Sequence, residues 1–367
     1  MTLLLAVIAV ALVFEFLNGF HDTANSVASV VGTKVLTPSR AIALASVMNL
    51  CGALAGTAVA TTVGTGLVDA HCVTGATIIC GLLGGIFWNL LTWRMGLPSS
   101  SSHALIGGLV GAAIASSGNR WDVIIWSAPV AGKPWYLWDG LVYKVIIPMF
   151  SSPILGLVGG FVWMSVLYVL LARLKASTIN NTFRKLQIFS AGYLGFSQGS
   201  NDAQKTMGII ALALFSATQA GALVHALPCL QFLRTPEFRV PLWVKLLCAI
   251  TMAAGTATGG RRIIRTLGRK VSRLQPVNGF AADTTAATVL MAAARLGMPV
   301  STTHAVSTSI MGVGISRNHR GMRWHLVESI VWAWFMTLPA TALVAYGLMR
   351  LLQVFGVADG SFQALAR

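Results

Sequence analysis

Charged residues are scarce in this sequence. They make up 10% of the 367 positions, against roughly a quarter in an ordinary soluble domain. With 55% hydrophobic residues and a mean hydropathy of +0.74, a water-soluble enzyme is excluded, as are intrinsic disorder and a coiled coil. Acids are rarest of all, ten against 26 Lys and Arg, for a formal net charge of +16. The basic residues fall between apolar runs, as in Arg261, Arg262, Arg265, Arg269, Lys270 and Arg273. That is the pattern of cytoplasmic loops in membrane proteins, so nucleic acid is not the expected partner. Five cysteines (Cys51, Cys72, Cys80, Cys229, Cys248) lack any CxxC spacing and read as packing residues, neither a metal site nor a disulfide framework. The first twenty residues have no basic leader and no small-residue cleavage site, so they are expected to stay as a first membrane helix.

What the sequence does have is apolar runs long enough to cross a bilayer, about 20 residues each. Spans are expected at 1–20, 41–66, 73–93, 142–172, 206–227, 242–258, 276–294 and 326–352. Two more apolar stretches, 98–116 and 299–316, open with Pro and a row of hydroxyls, and each is expected to be two half-helices that dip in and return. The basic stretches 173–185 and 260–275 are the best cytoplasmic candidates. Arginines 317, 320 and 323 do not fit a simple alternation, so charge alone leaves the orientation open.

Two unlike motifs occur twice, in the same order. Gly19-Phe20-His21-Asp22-Thr23-Ala24-Asn25 is matched by Gly199-Ser200-Asn201-Asp202-Ala203-Gln204-Lys205. GLPSSSSHALIGGLVGAAI (96–114) is matched by GMPVSTTHAVSTSIMGVGI (297–315), which pairs Ser100, Ser101, Ser102 and His103 with Ser301, Thr302, Thr303 and His304. A duplicated unit in a membrane protein points to a transporter with its site at the repeat interface. The expected units are 1–172 and 187–367, joined by a basic cytoplasmic linker, 173–186.

Each motif has its own chemistry. A carboxylate at mid-membrane costs roughly 2.5–3.5 kcal/mol, so Asp22 and Asp202 need a partner or a task. Asn18 and Asn25 accompany the first, Ser200 and Asn201 the second. Such oxygens suit a hard cation such as Na⁺, or an acid that carries H⁺. The alternative is a structural Asp capping a break in the helix. The hydroxyl rows behind Pro98 and Pro299 should open helices, whose free N–H groups and dipole attract an oxyanion. Two of them could face each other across one tetrahedral anion; simple N-capping is the plainer alternative. Lys205, standing where the first half has Asn25, either pairs with Asp202 or occupies the place of a cation. His21, His103 and His304 show no compact metal-ligand spacing. Glu15 and Asp283 also interrupt apolar stretches and are candidate proton relays or interhelical polar contacts.

With these motifs in hand the chain resembles the inorganic phosphate transporter (PiT) family, most closely its short bacterial branch. The resemblance rests on NGFHDTANSVASV (18–30), GLPSSSSHALIGG (96–108), GSNDAQKTMGII (199–210), GTATGGRRIIRTLG (255–268) and GMPVSTTHAVS (297–307). It implies an all-α, multi-pass membrane protein of two inverted repeats, each with an Asp-motif broken helix and a re-entrant helical hairpin, commonly a homodimer. It implies phosphate ligands among Ser100, Ser101, Ser102, Ser301, Thr302 and Thr303. Coupling residues would be Asp22, Asn25, Asn201 and Asp202, with Lys205 added from its position; His21, His103 and His304 are secondary candidates. Two departures, His21 where the second half has Asn201 and Lys205 for Asn25, lean toward H⁺ over Na⁺ as the coupling ion. The expected function is import of phosphate across the bacterial inner membrane by proton symport, free or as a neutral divalent-metal complex, without a resident cofactor or metal. Rival readings are a sodium-coupled carrier, a permease for sulfate or another tetrahedral oxyanion, a passive anion channel, and a membrane-embedded metal hydrolase built on His21, Asp22, His103 and His304.

Overall fold

The computed structural model describes residues 1–132, 134–223, 228–259, 275–318 and 324–356, and these are overwhelmingly helical. The stretch 260–274, with most of the second basic loop, and Arg320 and Arg323 lie outside the described residues. The helices are α1 (Thr2–Gly32), α2 (Pro38–Ala53), α3 (Ala58–Thr65), α4 (Gly75–Met95), α5 (Ser101–Ser116), α6 (Ile147–Leu171) and α7 (Ala176–Gln219). They continue as α8 (Leu242–Thr258), α9 (Pro276–Arg295), α10 (Thr302–Asn318) and α11 (Trp324–Val354). Among the described residues four segments are long and apolar enough to cross a membrane: α1, α4, Val142–Leu171 and Val327–Val354. The α2–α3 pair, bent by 69°, makes a fifth if it is one span.

Three expectations are corrected. Neither Asp motif breaks its helix: α1 and α7 run unbroken through Asp22 and Asp202. The motif glycines are not breaks but points of close approach. A Cβ on Gly19 would meet the Met252 carbonyl of α8 at 2.3 Å, and one on Gly199 the Asn49 carbonyl of α2 at 2.1 Å. Second, 98–116 and 299–316 are not pairs of half-helices. Each is one helix, and the descending limb of each hairpin is the helix before it, α4 for α5 and α9 for α10. The stretches 73–93 and 276–294 are thus hairpin limbs. Gly96 (φ 70°) and Gly297 (φ 66°) make the turns in the left-handed region that glycine enters without strain. Third, 206–227 is not a separate span. Residues 206–219 complete α7, whose 44 residues extend roughly 65 Å.

The duplication is visible in the packing. Gly255 of α8 abuts the Phe16 carbonyl of α1, just as Gly52 of α2 abuts the Phe196 carbonyl of α7. Gly111 of α5 abuts Ala342 of α11, and Gly312 of α10 abuts Leu157 of α6. Each half therefore seals its Asp helix and its hairpin against helices from the other half.

Along α1 the two hairpins arrive from opposite ends. Phe14 lies against Gly85 of α4, whereas Ser29 reaches Asp283 of α9. Apolar clusters fill both ends. One joins the first half of α1 to α4, α5 and α8, the other its second half to α9 and α10. Between them lies a band that is buried and polar, containing Glu15, Asn18, His21, Asp22 and Thr23 on α1 and Ser197 to Asp202 on α7. Hydroxyls, amides and carboxylates at the centre of an apolar protein are tolerated only when they satisfy one another or a ligand.

The interhelical fit at the glycine crossings makes a first prediction. Gly199→Ala should destabilise the protein by about 1–3 kcal/mol through overpacking. Gly347→Ala, where a Cβ meets nothing within 4 Å, should be neutral or slightly stabilising. Melting curves of the detergent-solubilised protein would separate the two, and equal midpoints would contradict the crossing.

Candidate functional site

Asp22 and Asn25 are one helical turn apart on α1, so their side chains meet. The Asn25 amide donates to Asp22 Oδ1 at 3.1 Å. Asp202 and Lys205 repeat this on α7, with Lys205 Nζ 2.5 Å from Asp202 Oδ1. The tips of the hairpins complete both arrangements. Asn25 also donates to Thr303 Oγ1 at 2.9 Å, and Thr303 donates to the Ser99 carbonyl at 2.8 Å. Correspondingly, Lys205 Nζ donates to Ser102 Oγ, and Ser102 donates to the Val300 carbonyl at 3.1 Å.

The site is thus two copies of one arrangement: a helix carboxylate, its partner three residues on, a tip hydroxyl and the carbonyl of the opposing tip. In each copy the hydroxyl comes from the other half of the chain. Within this arrangement the copies differ at the partner three residues on. Asn25 offers a neutral amide, whereas Lys205 offers an ammonium that reaches three oxygens, Asp202 Oδ1, Ser102 Oγ and the Val300 carbonyl at 3.0 Å. Lys205 and Asp202 are both almost wholly buried, where a cation survives only with such partners.

The hydroxyl rows divide their work. Ser100 and Ser301 are N-caps, accepting the backbone N–H of His103 and of His304, each at 3.2 Å. Capping accordingly occurs, and it uses one residue of each row. Ser102 and Thr303 lock the tips together. Ser101 Oγ is buried with no hydrogen-bond partner, as is Asn201 Oδ1, while the Asn201 amide donates to the Met298 carbonyl at 3.0 Å. Thr302 lies beside Asp202. The unpaired Ser101 hydroxyl at the α5 N-terminus, facing the hydroxyl row at the α10 N-terminus, forms a setting for an oxyanion, and Asn201 Oδ1 could accept from a protonated one.

The histidines have separate places. His21 Nδ1 lies 3.2 Å from Asp22 Oδ1, and its Nε2 lies 3.4 Å from Thr92 Oγ1 of α4. His103 and His304 pack edge to face behind the tips, ring centres 4.9 Å apart, with Trp334 on the outer face of His304. Their contact joins α5 to α10. Among the described residues no three His, Cys, Asp or Glu side chains are grouped to hold a metal.

The substrate and coupling residues expected from sequence lie at the two tips or on the facing stretches of α1 and α7, whereas Asp283 lies about two turns away, at Ser29. What the sequence reading did not single out are the carbonyls of Ser99 and Val300, Thr92, and the Ser26–Gln198 pair, whose amide also donates to the Asp22 carbonyl at 3.1 Å. Backbone acceptors leave no mark in a side-chain pattern. Gln198 did leave one: it directly precedes Gly199, as Asn18 precedes Gly19.

Unbroken apolar helices around a buried, charge-bearing site between two hairpin tips define a multi-pass membrane carrier. Comparison with known proteins makes this specific. The phosphate transporter family model matches residues 18–178 and 171–345. A probable low-affinity inorganic phosphate transporter of Rhizobium meliloti is 44% identical over 94% of each chain. One from Bacillus subtilis is 38% identical over 95% of this chain and 98% of its own. A solved structure described as the sodium-dependent phosphate transporter shares the fold, with a TM-score of 0.81 over 96% of this chain and 100% of that one, at 21% identity. The chain belongs to the phosphate transporter family, and it is a transporter, not an enzyme.

Loss of either tip lock should disable the site without unfolding it. Ser102→Ala and Thr303→Val should each lower phosphate uptake by about 10-fold or more, the effect of losing one well-placed buried hydrogen bond. Uptake in a strain lacking its own phosphate carriers, normalised to protein in the membrane, would measure this. Wild-type uptake by both variants would remove the tips from the site.

Proposed function

We propose that this protein imports inorganic phosphate across the bacterial inner membrane by proton symport, with the anion held between the two hairpin tips and the proton taken at Asp22. The observation that carries this reading is the seat of Lys205. Its ammonium lies where a coupling cation would lie, bound by a carboxylate, a hydroxyl and a carbonyl. That seat is occupied by a tethered charge, which cannot be released on the far side. The equivalent seat at Asn25 holds a neutral amide in place of the ammonium, so Asp22 is the carboxylate left to be neutralised in each cycle. A phosphate carried with its negative charge uncompensated would be prohibitively costly in hydrocarbon, and a proton on Asp22 removes one charge from the loaded site.

The distribution of charge supports one orientation. Lys34, Arg40, Arg173, Lys175, Arg184 and Lys185 are exposed and cluster where α1 ends and α7 begins, an end tied by Thr33 to Gln187 at 2.9 Å. The helix α10 runs parallel to α6 toward that same end, since Thr308 lies at Gly156 and Gly312 at Leu157. The positive-inside rule makes this end cytoplasmic, and it removes the difficulty that Arg317 posed for a simple alternation. The opposite end carries exposed Trp121, Trp126, Trp135 and Tyr136, as suits a membrane interface. Access would alternate by rocking of the hairpins and Asp helices against the helices that flank them.

Proteoliposomes distinguish the coupling ions. An inward pH gradient should drive phosphate accumulation and an inward sodium gradient should not, with sulfate failing to compete. Lys205→Asn leaves Asp202 buried without its partner, and should abolish proton-driven uptake or make uptake depend on sodium. Unchanged coupling in Lys205→Asn would show that the ammonium does not stand in for a cation, and sodium-driven uptake by the wild type would overturn proton symport.

A further inference from the structure

Beyond the paired seats, one side of α1 carries a continued file of polar groups toward the basic end of the molecule. Ser26, one turn past Asp22, donates to Gln198, whose amide binds the Asp22 carbonyl at 3.1 Å. Another turn on, Ser29 donates to Asp283 Oδ1 of α9 at 2.5 Å, and Ser190 of α7 lies 3.4 Å from Oδ2. A turn beyond, Thr33 donates to Gln187 Oε1 at 2.9 Å, and Gln187 Nε2 is buried without a partner. Thr33 is the residue that ends α1, and exposed Lys34 follows it. The file thus runs from the coupling site to the surface along the three-helix seam of α1, α7 and α9.

Asp283 has no evident structural need to be a carboxylate. Its two polar neighbours are hydroxyls, and no cation pairs with it among the described residues. The charged or titratable groups of the elements packed against α9 are placed elsewhere. On α1 the His21–Asp22 pair is about two turns away, and on α7 Asp202 is paired with Lys205. Arg184 and Lys185 of α7 are exposed, His304 of α10 packs on His103 and Trp334, α6 has only half-exposed Tyr168, and α3 has none. A carboxyl in this setting, held by hydroxyls that can turn, is built to gain and lose a proton.

We propose that Asp283 is the proton relay between Asp22 and the basic-linker face, a reading that rests on proton coupling. In the release half of the cycle the proton leaves Asp22, passes the Ser26 and Ser29 hydroxyls and binds Asp283. The O–H bond at Asp22 breaks as one forms at Asp283, each hydroxyl giving up one proton as it takes another. Asp283 then passes its proton to water at the Thr33–Gln187 end, and both carboxylates return to the charged form. From Asp22 to Ser29 is seven residues, about 10 Å along the helix. The Asp22, Ser26 and Ser29 side chains, three or four residues apart in turn, are about 5–6 Å from each other at Cβ, and each gap is one that a single bridging water spans.

The test uses the full-length protein in proteoliposomes loaded with a pH dye, with radiolabelled phosphate as probe, in two assays. Net uptake requires the proton to be released at each turnover, whereas phosphate–phosphate exchange lets a protonated carrier shuttle without releasing it. Asp283→Asn should lose net uptake and luminal acidification by about 10-fold or more, the scale of a lost proton-transfer group, yet keep exchange within about twofold. Asp283→Glu should restore net uptake. Loss of exchange together with net uptake would show that Asp283 serves binding or folding and would overturn the relay. Wild-type acidification by Asp283→Asn would overturn it as well, with proton coupling intact. Absence of acidification in the wild type would instead sink the coupling on which the relay rests. If Asp283→Asn does not reach the membrane, Ser29→Ala with Ser190→Ala keeps the carboxylate and removes its partners. Slowed net uptake with exchange preserved is then expected, and unslowed net uptake refutes the relay.

Discussion

The candidate site depends on two hairpin tips holding one another between two apolar clusters. Ser102 donates to the Val300 carbonyl and Thr303 to the Ser99 carbonyl, so each tip satisfies a backbone oxygen of the other. Without that exchange the Ser99 carbonyl would lose its side-chain donor and the Val300 carbonyl would be left to Lys205 alone, and a buried polar group left unpaired costs roughly 1–3 kcal/mol. The exchange also sets where Asp22 and Asp202 lie, because their partners Asn25 and Lys205 bind the same two hydroxyls. Tip contact, carboxylate position and charge balance are therefore one constraint. A shift in any of them disturbs the others, which is the property a carrier needs in order to link a bound ion to movement.

Much of this was legible in the sequence, and the reason is chemical. Carboxylates and hydroxyl rows are so unusual in apolar runs that Asp22, Asp202, Ser100–Ser102 and Ser301–Thr303 stood out, and their twofold occurrence paired them. The repeat spacing even matched Asn25 with Lys205, which the structure places in equivalent seats. Helix continuity was not legible. Gly19 and Gly199 resemble breaks, and only the approach of α8 and α2 reveals them as packing surfaces. Hairpin limbs were misjudged for a similar reason: α4 is as apolar as a spanning helix, and what makes it a limb is the left-handed turn at Gly96 and its partner α5. Backbone carbonyls, half of the tip lock, are absent from any side-chain pattern.

The long helix α1 orders the polar groups by depth. Glu15, bound by Thr206, lies seven residues before Asp22, and Ser29, bound to Asp283, lies seven after. Two turns of helix thus separate each buried acid from the coupling site, one toward either end. Apolar clusters close around each acid, so water reaches the centre only if one of those clusters opens. The same helix accordingly supplies the site, measures its distance from both faces and forms part of the wall that excludes solvent.

The crossing of the two halves has a bearing on how such a protein could arise. The stretch with one Asp helix and one hairpin holds neither complete seat, so such a stretch on its own would need a second copy to complete one. Identical copies must place the same residue in both seats. Joining the two stretches in one chain lets one seat keep asparagine while the other takes lysine. The contrast between Asn25 and Lys205 thus makes an otherwise matched pair of seats asymmetric, with a tethered ammonium on one side and a neutral amide on the other.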